Sequence, residues 1–146
     1  MIRHATPVDI PRILEMAERF INNSAYSNVL TFRIEALERL ADVVVGQLGA
    51  VLIATVPAGG SVAMFVVVAL EDPLTGDRYA EEVAWWVEPE HRGGLIGPRL
   101  LAAAETWARE NKCPVLRMRA PVGSDVGAFY LRRGYTEVET IYVKVL

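Results

Sequence analysis

The stretch Trp86-Val87-Glu88-Pro89-Glu90-His91-Arg92-Gly93-Gly94-Leu95-Ile96-Gly97 decides how this chain is read. Before it, Ala80 to Val87 reads as a strand. After it, Leu100, Leu101, Ala104, Trp107 and Ala108 recur at helical spacing. A strand therefore ends in a glycine turn that opens a helix. Glycines let a backbone turn tightly and approach a ligand closely. The first N–H groups of a helix lack partners within it, and the helix dipole favours an anion in front of them. Arg92 adds a charge that suits phosphate. Pro98 falls early in the helix, where its missing N–H costs little. The turn predicts a phosphate or pyrophosphate ligand, although the hexapeptide Arg92–Gly97 also fits an ordinary strand-to-helix loop. It is not a Walker A loop, because no Gly-Lys-Ser or Gly-Lys-Thr is present. A dinucleotide fingerprint is also excluded, since the glycines do not follow G-x-G-x-x-G in a first strand–turn–helix unit.

Working outward, Met1 to Ala5 reads as a short strand rather than a signal peptide. Thr6-Pro7-Val8-Asp9 marks a helix start, with Thr6 as cap, Pro7 at the first position and Asp9 at the positive end. Ile10, Ile13, Leu14, Ala17, Phe20 and Ile21 give that helix one apolar face, and Asn22-Asn23-Ser24 ends it. Ala25 to Thr31 reads as a loop. Ile34, Leu37, Leu40, Ala41 and Val44 predict a second helix over 34–44, closed by Gly46. Strands are expected at about 50–56 and 62–70, joined by the turn Pro57-Ala58-Gly59-Gly60. A loop covers 71–78. Downstream of the glycine turn and its helix, Val115 to Ala120 reads as a strand. Ser124 to Arg133 is a short helix ended by Gly134. Tyr135 to Leu146 is a last strand or strand pair. An antiparallel meander thus leads into a βαβ-like unit. That order predicts a mixed α/β domain whose sheet switches from antiparallel to parallel pairing.

The 146 residues favour one domain, 1–146. A domain of this size buries roughly 68–70 % of its unfolded surface, enough for a core. With 52 % hydrophobic residues the chain is not disordered. A net charge of -3 argues against a nucleic-acid binder that works by bulk charge. One cysteine excludes an internal disulfide and a cysteine-based zinc cage. The most apolar stretch, Val62 to Leu70, falls far short of the ~20 residues a spanning helix needs. The expectation is a soluble cytoplasmic protein with neither membrane nor nucleic-acid partners.

The turn and its surroundings resemble the GCN5-related N-acetyltransferase (GNAT) superfamily. The family motif runs Arg or Gln, two residues, Gly, one residue, then Gly or Ala. Arg92 matches its first position and Gly97 its last, whereas Leu95 stands where the family has a glycine, with Gly94 just before it. Val87-Glu88-Pro89-Glu90-His91-Arg92 resembles the family lead-in V-x-P-x-x-R. Further on, Tyr130-Leu131-Arg132-Arg133-Gly134-Tyr135 resembles the signature Tyr-x-x-x-Gly-Phe/Tyr. Gly123 and Ser124 occupy the region where many members carry an Asn.

The resemblance implies a mostly antiparallel central sheet, splayed at the cofactor site and flanked by about four helices. It implies acetyl-CoA as cosubstrate and no metal. Trp86 and Val87 would line the pantetheine arm, and Arg92, Gly93, Gly94, Leu95, Ile96 and Gly97 would hold the pyrophosphate. The implied reaction is direct attack of an amine, on a small molecule or a protein, upon the thioester. Such chemistry needs a proton acceptor for the amine, an oxyanion donor and a proton donor for the leaving thiolate. Tyr130 matches the family's thiol-protonating Tyr. Glu81 and Glu82 are base candidates on neighbouring positions that face opposite sides of a strand, with Glu82 the preferred one. The alternative is a GNAT-fold module that binds CoA or a partner without catalysis.

The remaining residues point less sharply. His91 reads as an exposed turn residue, His4 as structural and Cys113 as a buried, inert thiol. Trp85 and Trp86 should face opposite sides of the sheet, one in the core and the other on the acceptor cleft or a subunit contact. Asn22, Asn23, Tyr26 and Asn28 hint at a small polar acceptor. The alternating segment Thr140–Leu146 is a candidate edge for a homodimer.

Overall fold

Apolar strands build the centre of the molecule. In the computed structural model, which describes residues 1–45 and 48–146, five strands form one sheet in the order β1-β2-β3-β4-β5. They are β1 (Ile2–His4), β2 (Gly49–Thr55), β3 (Ser61–Glu71), β4 (Arg78–Val87) and β5 (Leu116–Arg117). The first four are antiparallel neighbours, and β5 runs parallel to β4. β3 is covered on both faces along most of its length, as its unbroken run of Val, Ala, Met and Phe demands.

Four helices cover the sheet. They are α1 (Ile10–Asn22), α2 (Ile34–Val45), α3 (Ile96–Glu110) and α4 (Val126–Arg132). Alternation along the strands sorts two cores. Val51, Ile53, Met64 and Val66 pack with Met16 and Ala17 of α1. Leu52, Ala54, Phe65 and Val67 pack with Leu100, Leu101 and Ala104 of α3. Among the described residues, no helix is long and apolar enough to cross a membrane.

Several expectations need correction. The chain enters α1 through a 3-10 turn, Pro7–Asp9, capped by Thr6 as expected, whose hydroxyl donates to Asp9 Oδ2 at 3.0 Å. The Asp9 carboxylate accepts the Thr6 N–H at 2.8 Å and both Arg3 terminal nitrogens at 2.8 and 2.9 Å. The expected loop after Asn22 contains a further 3-10 turn, Ala25–Asn28. β4 starts at Arg78, two residues earlier than expected, because Glu71 pairs with Arg78 across the hairpin. β5 is cut to two residues, and 135–146 forms no strand. The Leu40, Ala41 and Val44 side chains and the expected stop Gly46 lie outside the described part of the chain.

Candidate active site

β4 is bordered unequally along its length. At Ala80 and Glu81 it has β3 on one side and β5 on the other, through Ala80↔Leu116 and Glu81↔Arg117. Beyond Glu81, no strand lies on its β5 side among the described residues. The β3 register also slips there: Val67 faces Glu82 and Val66 faces Ala84, which leaves Val83 as the extra residue of a bulge. The Glu88 N–H donates to Val62 O at 2.9 Å. Alternation of an antiparallel ladder then turns the backbone groups of Trp85 and Val87 towards the vacated side.

The bulge also decides which side chains meet. Glu82 and Trp85 share the α3 face, while Ala84 and Trp86 share the α1 face. Trp85 lies between Phe65, Phe129 and Tyr130, with ring centroids 5.7, 6.0 and 6.2 Å away. The two tryptophans therefore pack against cores on opposite faces, Trp86 buried and Trp85 part-exposed. Cys113 is buried, as expected, and bonds weakly to Asn111 O.

The glycine turn sits against the open half of β4. Gly93 has φ +78°, which favours glycine, and a Cβ there or on Gly94 would meet nothing. A Cβ on Gly97 would lie 3.3 Å from the Trp85 ring, so glycine permits α3 to start close to β4. Leu95 adopts an ordinary right-handed conformation, φ -88° and ψ -6°, with its side chain 65 % exposed. Its backbone is thus unstrained. Arg92 folds back: its Nε donates to Val87 O at 2.8 Å and its guanidinium lies 4.5 Å from the Trp86 ring centre. His91 closes a 3-10 turn, Pro89–His91, and is part-exposed.

A buried acid anchors this turn from below. Glu88 is 2 % exposed and its Oε1 accepts Arg12 Nη2 at 2.6 Å and Arg19 Nη1 at 2.7 Å. Burial pushes the Glu88 carboxyl up, but the two arginines outweigh it and hold it below its ordinary value. Sequence reading missed this clasp. The available signal was the spacing of Arg12, Glu15 and Arg19, which aligns them along one face of α1.

Glu82, Glu81 and Tyr130 come together where β5 leaves β4. Glu82 is 4 % exposed; burial pushes its carboxyl up, partly offset by the Arg119 N–H it accepts at 3.1 Å. Glu81 instead pairs with the guanidinium of Arg119 and lies 3.9 Å from that of Arg117. Tyr130 is buried, and its hydroxyl donates to Arg119 O at 3.1 Å. Burial first, and then the nearby Glu82 charge, raise its pKa above the usual tyrosine value. Arg119 was not anticipated as a site residue.

On the opposite face, a cavity of about 420 Å³ lies between α1, α2 and the sheet. Ile13, Phe20, Leu37, Val66 and the bulge residue Val83 help line it. The loop residues Asn22, Asn23, Tyr26 and Asn28 are exposed and do not line it.

A sheet that parts between its last two strands, beside a glycine-rich helix start, is the arrangement that the resemblance to N-acetyltransferases implied. The chain belongs to the Acetyltransferase (GNAT) family, whose family model matches residues 18–135. It is similar to a putative acetyl transferase from Pyrococcus furiosus, at 21 % identity over 100 % of this chain and 99 % of that one, TM-score 0.78. A putative acetyltransferase from Agrobacterium tumefaciens gives 21 % identity over 100 % and 99 %, TM-score 0.77. A structure described as a transcriptional regulator from Bacillus halodurans gives 17 % identity over 99 % of each chain, TM-score 0.78. These likenesses establish the fold. No curated protein matches the sequence significantly.

Proposed function

We propose that the protein transfers an acetyl group from acetyl-CoA to an amine, by direct attack in a ternary complex. One observation carries the reading: Trp85 and Val87 turn their backbone groups to the side of β4 that has no strand beyond Glu81 among the described residues, where the Val87 carbonyl meets the Arg92 side chain. Strand groups that lack a strand partner suit the amides of a pantetheine arm, and the N–H groups of residues 93–97 suit a pyrophosphate. Arg92 is close enough to contribute charge once it leaves Val87 O. Trp86 forms the platform beneath Arg92, and Leu95 contributes its backbone only.

In this reading the amine nitrogen attacks the thioester carbonyl and the carbon–sulfur bond breaks. The oxyanion donor in this reading is a backbone N–H of the splayed strand. Glu82 takes the amine's proton through water. Its raised pKa suits a base better than Glu81, whose charge is committed to two arginines. Tyr130 delivers its hydroxyl hydrogen to the departing thiolate. The acceptor is a small molecule or a protein amine, and a homodimer through the exposed segment 140–146 belongs to the same reading. No group of three potential metal ligands occurs among the described residues, and the proposal uses none.

The test is calorimetric titration with acetyl-CoA, with ATP and NAD as controls, followed by an amine panel. Micromolar binding of acetyl-CoA alone and thiol release with at least one amine are expected. Binding of ATP but not acetyl-CoA would sink the proposal.

A further inference from the structure

Where β4 and β5 separate, main chain and side chain have exchanged partners. Ala80 faces the seam, and its N–H donates to Val115 O at 2.8 Å. In a parallel ladder the next seam-facing residue of β4 is Glu82, whose carbonyl would accept the N–H of Arg119. Instead, that N–H goes to Glu82 Oε2 at 3.1 Å, and the Glu82 carbonyl accepts Arg119 Nη1 at 2.8 Å. The Arg119 carbonyl is taken by the Tyr130 hydroxyl at 3.1 Å. Both backbone groups of Arg119 are thus satisfied by side chains. The strand can leave the sheet with no buried polar group abandoned.

We propose that Glu82 is a wedge: by capturing the Arg119 N–H, its carboxylate stops the β4–β5 ladder and sets the mouth of the cosubstrate cleft. The proposal rests on the acetyl-CoA reading of that cleft, and it gives Glu82 a positioning role besides proton transfer. Three features support it. A carboxylate that is only 4 % exposed is costly unless its bonds are used. Glu81 holds the same strand from the neighbouring position through Arg119 and Arg117. The bulge at Val83 follows immediately, so the backbone changes direction where the carboxylate intrudes. Without an acceptor on side chain 82, the cheapest partner for the Arg119 N–H is the carbonyl of residue 82. The ladder then gains a rung and the cleft narrows at its base.

The test compares Glu82→Gln, which keeps an acceptor oxygen, with the isosteric Glu82→Met, which has none. Acetyl-CoA affinity is read by calorimetry, so loss of a base does not enter. Glu82→Gln should bind within about threefold of wild type, and Glu82→Met at least about tenfold more weakly. A crystal structure of Glu82→Met should show the Arg119 N–H on the carbonyl of residue 82. Equal affinities in both variants, or equal losses, would overturn the wedge. If Glu82→Met does not fold, Glu82→Ala serves the same comparison. If wild type binds no acetyl-CoA, the functional reading fails, and the seam of the variant crystal structure alone decides: an added rung supports the wedge, an unchanged seam overturns it.

Discussion

β4 contains two strands' worth of physics in ten residues. Its first part, Arg78–Glu81, pairs with β3 throughout and at Ala80 and Glu81 also with β5. Its second part, Glu82–Val87, has a ladder only towards β3. Side chains replace the missing strand there. Trp85 is wedged among Phe65, Phe129 and Tyr130, and Trp86 lies between the α1 core and Arg92. A sheet can therefore be opened for a ligand at little cost when aromatic bulk fills the gap and side chains take the broken rungs. The two parts should respond differently to the same kind of damage.

The largest expected effect follows from that substitution of side chain for strand. Trp85→Ala should destabilise the protein by about 3 kcal/mol, the range for truncating a large aromatic residue in a packed site. Tyr79→Ala, in the first part, should cost about 1 kcal/mol, since Tyr79 is half-buried and Arg117 lies 5.0 Å from its ring centre. Urea unfolding of both variants measures the difference. A Tyr79→Ala loss equal to or above that of Trp85→Ala would break the comparison.

Next comes the anchor beneath the turn. Glu88→Ala leaves Arg12 and Arg19 facing a covered site without their acid, at a cost of about 2 kcal/mol, below the value for a fully buried pair because both arginines are partly exposed. Its pH signature has a definite sign. The folded carboxyl lies below its ordinary value of 4.5, so its contribution is present above that pH and is lost as the pH falls through the acid range. Wild type should therefore lose thermal stability between pH 5 and about pH 3 more steeply than Glu88→Ala. Parallel melting curves for the two proteins would remove Glu88 as the anchor.

Glu82 should show the opposite sign. Burial raises its folded pKa above 4.5, so the fold favours the neutral form. Its stabilising share is complete below the unfolded value and is lost as pH rises through the folded one. Glu82→Gln is neutral throughout, so its melting temperature should gain on wild type by a few degrees as pH rises above 4.5. A gap that narrows with rising pH would show that the carboxylate is better compensated than its burial implies.

Much of the open part of β4 was legible in the sequence, and its cause was not. The strand, the turn and the helix after it announce themselves through local spacing and glycine placement. Glu81 and Glu82 were legible as neighbours on opposite faces. The bulge at Val83 was hidden because Glu82-Val83-Ala84-Trp85-Trp86 shows no break in pattern. The partner that stops the ladder, Arg119, lies 37 residues away and acts through its backbone, which carries no sequence signature. That same bond explains why β5 is shorter than its apolar pattern suggests. The segment 135–146 alternates like a strand, yet pairing needs a neighbour in register. Here β5 meets the segment through side chains, with Arg117 Nη2 donating to Glu139 at 2.7 Å.

The smallest expected effect concerns the one departure from the family motif. Leu95 stands where a glycine is usual, and a glycine's worth there depends on what the backbone needs. The observed φ of -88° is open to any residue, and the side chain is exposed, so glycine relieves no strain. Leu95→Gly adds backbone freedom to the unfolded chain and should cost about 0.5–1 kcal/mol. Acetyl-CoA affinity, read by calorimetry, should change by less than about threefold, because the backbone N–H groups at the helix start keep their direction. A tenfold gain in affinity would mean that the leucine side chain obstructs the bound ligand, and the turn would then have to be read as partly closed in this protein.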